Sequence, residues 1–187
     1  MIFILIYSDT VQGMELQPSS LVHEAITPLL DEIARDYAKL TGWGGMKGIL
    51  LVDQDAKVIA KNTMFGPKKP WDMGGIGAAL HGVAKQASQY FGCNAMARTT
   101  ISFGNLQLFV HALGAVDMGD GKPPRELLIV VLADEKVKMG IVLVQLQKQA
   151  SKIVDAITNS AKTMDLLRLD ERAVHGYLLS AAGTKTA

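Results

Sequence analysis

Two strand-like segments are apolar without alternation, and they set the frame for the chain. Ile49-Leu50-Leu51-Val52 lies at the centre of 46–53, and Leu127 to Ala133 forms the second. Continuous apolar strands are buried on both faces, so both belong in the middle of a sheet covered by helices on each side. Each has a neighbour. Asp53-Gln54-Asp55-Ala56 reads as a turn into Lys57–Lys61, the second arm of a hairpin. Arg98 to Phe103, the Gly104-Asn105 turn and the alternating Leu106 to Leu113 form another hairpin. Met1 to Tyr7 is a short apolar run that reads as a strand or a hydrophobic arm.

Three segments carry helical spacing. Thr27-Pro28 reads as a start with Thr at the N-cap, followed by Leu29, Leu30, Ile33, Tyr37 and Leu40, with Gly42 as the stop. Asp72 caps a second helix over about 73–91, with Ile76, Leu80, Val83, Ala84 and Ala87 as its apolar stripe and Gly92 at its end. The third helix runs over 139–162 on Leu143, Leu146, Ala150, Ile153 and Ile157. The order of elements predicts an α+β domain. It has a roughly five-stranded, mainly antiparallel sheet in the order 2-1-5-4-3, with helices on both faces. The 98–103 strand falls at an edge. Its Arg98, Thr100 and Ser102 face carries no Pro and no run of Lys, so this edge is open to pairing with another chain.

The helix at 73–91 carries an unusual load of small residues. Gly74, Ala78 and Gly82 recur at every fourth position, with Gly75 and Ala79 beside them. Glycine inside a helix costs up to about 1 kcal/mol relative to alanine, so several of them need a compensating contact. Two contacts qualify: close approach of a second copy's helix, or flat packing onto the chain's own sheet. If Ile76, Leu80 and Val83 supply the sheet-facing stripe, the small face is free for a second copy. On that reading the dimer interface comprises Gly74, Gly75, Ala78, Ala79, Gly82, Arg98, Thr100 and Ser102.

Composition narrows the function classes. The 187 residues are 49% hydrophobic and 20% charged, an ordinary globular profile of about one domain. Lys+Arg number 19 against 18 Asp+Glu, and a net charge of +1 is not the basic footprint of a nucleic-acid binder. One cysteine, Cys93, excludes an internal disulfide and a Cys-based zinc site, and reads as a buried or half-buried small apolar residue. No apolar run reaches the roughly 20 residues needed to span a bilayer, and the N-terminus lacks the basic start of a signal peptide. The expectation is a cytoplasmic protein without membrane insertion.

Catalytic signatures are missing. Gly74-Gly75-Ile76-Gly77 continues as Gly-x-Gly-x-x-Leu and follows a Pro-rich loop, whereas a dinucleotide fingerprint follows a strand. There is no phosphate-binding Gly-x-x-x-x-Gly-Lys-Ser/Thr loop. His23, His81, His111 and His175 fall on different elements with no second ligand at metal spacing. Asp53 and Asp55 read as hydrated turn formers with ordinary acidity. Lys148 and Lys152, at i and i+4 of the last helix, belong on its solvated face, where an acidic partner surface would meet them. Trp71 reads as a lid on the core or a partner contact. No enzyme activity and no cofactor are expected.

Residues 46–61, Met-Lys-Gly-Ile-Leu-Leu-Val-Asp-Gln-Asp-Ala-Lys-Val-Ile-Ala-Lys, resemble the opening hairpin of the roadblock/dynein-light-chain family. The Gly/Ala-rich helix ending in His81-Gly82-Val83-Ala84 is similar to that family's central helix. Leu127 to Ala133, with Asp134 and the following amphipathic helix, matches its later elements. The resemblance covers about 28–162. It implies a roadblock/profilin-like three-layer sandwich and a homodimer built by central-helix packing and sheet pairing. It also implies a non-catalytic role as regulator or scaffold for a Ras-like small GTPase. A motor or scaffold light chain, or a ligand-sensing module on a similar plan, are the alternatives. The chain then divides into an N-terminal extension over 1–26, a roadblock-like domain over 27–162, and a partly helical or disordered tail over 163–187.

Overall fold

A computed structural model describes residues 25–65, 70–93, 98–119 and 121–169. The Met1–Tyr7 run, His23, His175 and the end of the chain lie outside these residues. The elements run α1 (Thr27–Thr41), β1 (Met46–Asp53), β2 (Val58–Lys61), α2 (Pro70–Tyr90), β3 (Arg98–Phe103), β4 (Leu106–Val116), β5 (Arg125–Asp134), α3 (Met139–Thr158) and α4 (Ala161–Arg168). The strands form one antiparallel sheet in the order β2-β1-β5-β4-β3, as the hairpin logic requires. The two continuously apolar strands, β1 and β5, pair at its centre from Met46–Ala133 to Asp53–Leu127.

Side-chain alternation splits the core in two. Ile49, Leu51, Ile59, Phe109, Ile129 and Val131 point to the face covered by α1, α3 and α4. Leu50, Val52, Val58, Leu108, Val110, Leu128 and Val130 point to the face covered by α2. Tyr37 on α1 is fully buried, and its hydroxyl accepts from the Lys138 N–H at the start of α3 (3.0 Å), tying the two helices together. At the β5–α3 turn the buried Gln107 side-chain amide donates to the carbonyls of Asp134, Glu135 and Val137 at 2.9–3.1 Å. Without it the buried Val137 carbonyl would lose this partner, and a buried acceptor left unsatisfied costs about 1–3 kcal/mol.

Local chemistry departs from the sequence reading in several places. Thr27 is not the N-cap of α1. Ile26 holds that position without a side-chain bond, and the Thr27 hydroxyl instead donates to Lys61 O on β2 (2.9 Å). The tertiary bond outcompetes the local one. Gly42 ends α1 in the left-handed region, φ +66°, as its position suggested. The last helical stretch is two helices, because Asn159 and Ser160 break it and the Ser160 side chain caps α4 through the Thr163 N–H. α4 spans the 162/163 position, and Leu166 and Leu167 are buried.

Asp53 is not a hydrated turn former. It is fully buried, and its Oδ1 accepts from the Asp55 and Lys57 N–H groups. Burial pushes its carboxyl above the usual range, against the opposing pull of the Lys57 N–H and ammonium. Lys57 Nζ lies 3.4 Å from Asp53 Oδ2 and 3.4 Å from Leu167 O, so one buried cation joins the β1–β2 turn to the end of α4. Asp55 pairs with Arg125 on β5 beside it.

The approach of α2 to the sheet depends on two glycines. A Cβ on Gly74 would stand 3.1 Å from Val52 Cγ1 and 3.3 Å from Val58 Cγ2. A Cβ on Gly77 would overlap the Val130 side chain, and a β-branched residue on a central strand has little rotameric freedom to give way. Gly82 faces open space. Gly77→Ala is therefore expected to destabilise the fold by roughly 1–3 kcal/mol in urea unfolding. Gly82→Ala is expected to stabilise it by up to about 1 kcal/mol through helix propensity.

Candidate functional site

With Gly74, Gly77, His81 and Ala84 on the buried side of α2, the rest of the helix turns outward. Ile76 is 50% exposed and Val83 65%. This corrects the stripe read from the sequence: Ile76 and Val83 point to solvent, and the sheet-facing line is made of glycine, histidine and alanine. Leu80 is half-buried and packs at the margin of the α2-side core. At Gly74 and Gly77 the helix lies too close to the sheet to admit a larger residue beneath it. Glycines in a helix thus had two explanations, and for Gly74 contact with its own sheet is the one the structure supports.

β3 continues this surface. Directly paired residues on antiparallel strands share a face. Thr99, Ile101 and Phe103 pair with Val110, Leu108 and Leu106, so they stand on the α2 side. Ile101 and Phe103 are 39% and 46% exposed. Ile76, Val83, Ile101 and Phe103 are thus exposed apolar side chains on the α2 side of the sheet, and β3 is an edge strand whose outer backbone groups have no strand partner among the described residues. At the end of α2, Tyr90 and Phe91 stand exposed in an edge-to-face pair with centroids 5.2 Å apart.

The predicted interface residues are distributed differently. Gly74 lies against Val52 and Val58 of its own sheet. Gly75 and Gly82 look onto open space, Ala79 is exposed, and Ala78 is half-buried against the α2-side core. Arg98, Thr100 and Ser102 are exposed but pair with His111, Phe109 and Gln107, which places them on the opposite sheet face, toward α3. Ile76, Val83, Ile101 and Phe103 were missed as a group. Their signal was the alternation within Thr-Ile-Ser-Phe, whose apolar members share the face of Leu108.

A polar cluster anchors α2 from beneath. His81 is buried, and its Nε2 lies 3.2 Å from Glu126 Oε2, which also accepts from Lys85 Nζ at 2.8 Å. The Glu126 N–H donates to the Gln54 side chain at 3.1 Å. The Lys85 hydrogen bond holds the Glu126 carboxyl below the usual carboxylate range, with partial burial opposing and His81 adding to the effect. This cluster links helix to strand. Cys93 is exposed, not buried, and Trp71 is half-buried against the α2-side core. Among the described residues no group of His, Cys, Asp and Glu could hold a metal ion, and no helix is long and apolar enough to cross a membrane.

Comparison with known proteins agrees with this architecture. No family model matches the sequence. Two uncharacterised proteins of Methanocaldococcus jannaschii, MJ0714 and MJ0310, are 28% and 27% identical over 121 residues. These matches span 65% of this chain and 92% and 96% of the relatives. Among solved structures, Myxococcus xanthus MglB superposes with a TM-score of 0.55 at 14% identity, over 73% of this chain and 98% of that one. A Roadblock/LC7 domain from Streptomyces avermitilis gives 0.55 at 13% identity, over 71% and 98%. MglB in a tetrameric arrangement gives 0.52 at 18% identity, over 73% and 94%. The chain has the roadblock fold.

A carboxylate with a lowered folded pKa stabilises above its unfolded value and loses that contribution as pH falls through the folded one. Glu126→Gln is expected to lower the urea midpoint at neutral pH. The gap to wild type should close as the pH falls below the ordinary carboxylate range, which unfolding curves at stepped pH would show.

Proposed function

We propose that this chain is a non-catalytic roadblock-type regulator or scaffold that acts as a homodimer on a Ras-like small GTPase. The observation that carries the reading is the apolar surface shared by α2 and the open edge of β3. Isolated exposed apolar side chains are ordinary on a monomer. Several on one side of the sheet, together with unpaired strand hydrogen-bonding groups, fit another protein surface better than water. Helix and edge are both self-complementary under a two-fold axis. β3 can pair antiparallel with its own copy, and α2 can lie antiparallel across its mate, bringing Tyr90 and Phe91 toward the partner helix's start.

The fold and its roadblock neighbours support a role in protein assembly. The tetrameric arrangement of one MglB is consistent with a domain that self-associates. The GTPase follows from the family resemblance of residues 46–61, the α2 segment and 127–134. Two sheets joined through β3 form a broad, rigid platform, which suits a macromolecular partner better than a small substrate. The absence of a phosphate-binding loop from the sequence favours a regulator of nucleotide turnover over a nucleotide-binding protein.

Light scattering is expected to give twice the chain mass for wild type and the single mass for Val83→Lys/Ile101→Lys, with unchanged circular dichroism. A dimeric double variant or a monomeric wild type would overturn the interface. Ras-like GTPases of the source organism, each loaded with GDP or a GTP analogue, should be retained by the wild-type dimer and not by the monomeric variant. Equal retention by both refutes the platform, and none by either refutes the GTPase. Titration calorimetry with GTP, GDP and ATP should show no binding tighter than roughly 10 μM, about −7 kcal/mol.

A further inference from the structure

We infer that a second copy adds to β3 in one register only: Thr100 faces the partner's Thr100 across the two-fold, and Arg98 faces the partner's Ser102. This register presupposes the α2–β3 dimer proposed above and fixes its geometry. The direction of the β3 backbone decides it. In an antiparallel ladder one residue turns its N–H and C=O to one neighbouring strand, and the next residue turns them to the other. The Glu135 N–H donates to Asn105 O at 2.9 Å, so Asn105, Gln107 and Phe109 bond toward β5. Leu106 therefore bonds toward β3, across the two-residue turn that pairs it with Phe103. Counting back along the strand, Phe103, Ile101 and Thr99 turn their backbone groups to β4. Those of Ser102, Thr100 and Arg98 point outward to the free edge.

Symmetry limits the choices. Directly paired residues of antiparallel strands share a face, so two identical strands can pair only about a residue that meets its own copy. Centring on Thr100 sets Arg98 opposite the partner's Ser102 on both sides of the axis. Every outward N–H and C=O of the strand then finds a partner. Centring on Ile101 places Arg98 opposite the partner's Gly104, past the end of the strand, and centring on Ser102 does the same to Thr100. Centring on Thr99 carries Ser102 past the other end. It also brings the two Arg98 Cα atoms to about 9 Å, against about 15 Å in the Thr100 register. Hydrogen bonding and charge thus select the same centre. The side chains agree with it. On the α2 side Thr99 meets the partner's Ile101, which covers an exposed apolar residue. On the other side Thr100 meets its own copy and Arg98 meets a serine, so polar side chains meet polar ones.

The test is disulfide trapping in a Cys93→Ser background, which removes the one cysteine of the chain. Oxidising a mixture of Thr99→Cys and Ile101→Cys chains is expected to link one variant to the other. In the Thr100 register their Cα atoms stand about 4.5 Å apart, within the roughly 4.4–6.8 Å that a disulfide spans. The nearest alternative registers put them about 8 Å apart. Each variant oxidised alone is expected to stay unlinked. Self-linking of Ile101→Cys points to the Ile101 centre and self-linking of Thr99→Cys to the Thr99 centre, and either overturns the inference. So does the lack of any link between chains that scatter light as dimers. A second variant needs no new thiol. Thr100→Pro removes an outward N–H that the β3–β4 ladder does not use. It is expected to give the single-chain mass with unchanged circular dichroism, and a dimer of this variant counts against the register. A monomeric wild type fails the dimer itself and the register with it, whereas a dimeric wild type with the wrong link fails the register alone.

Discussion

The distance between α2 and the sheet governs much of the rest of this structure. Gly74 and Gly77 let the helix backbone settle onto Val52, Val58 and Val130, leaving no room for a larger side chain at those two positions. The apolar residues of the helix must then project elsewhere, and Ile76 and Val83 emerge on the outer surface. A roomier helix would bury them and leave a polar exterior. Conformational entropy given up at the glycines is thereby exchanged for a close helix–sheet approach and an apolar outer face. The helix is held there by Glu126, which accepts from Lys85 and meets buried His81, so position and electrostatics act on the same element.

Beside Glu126, at the same end of the sheet, the β1–β2 turn is organised around a second charge. Lys57, Asp53 and the Leu167 carbonyl form a buried cluster joining the β1–β2 turn to α4. Removing either ionised partner leaves the other without compensation in a low-dielectric site, a costlier change than losing the pair together. Ala56 O of the same turn lies close to Gly74, so the first turn of α2 sits against a backbone segment this pair holds. The two anchoring devices thus serve the same helix from different sides.

Much of the fold was legible because burial on both faces leaves a plain mark. Strands β1 and β5 could be central only if apolar throughout, and the two hairpins then dictated the strand order. The surface was harder to read. A helical wheel shows which residues share a side but not how near the sheet lies, so Ile76 and Val83 were turned inward when their backbone had no room for it. At β3 the alternation of Arg98, Thr100 and Ser102 with Ile101 and Phe103 was visible, but its sense depended on which face α2 occupies. Asp53 was misread because a turn in sequence does not reveal that α4 covers it.

The two rims of the sheet are unequal. β2 is four residues long, its side chains are largely buried, and its Lys61 carbonyl is taken by Thr27. β3 is longer and bare on both faces. Only one rim is thus well suited to recruit another strand, and a two-fold pairing there consumes it on both molecules at once. In a pair joined that way the outer rims would be the blunted ones, and growth would stop there. The asymmetry would then set the valency of such an assembly, letting an open strand recruit one mate without seeding a fibre.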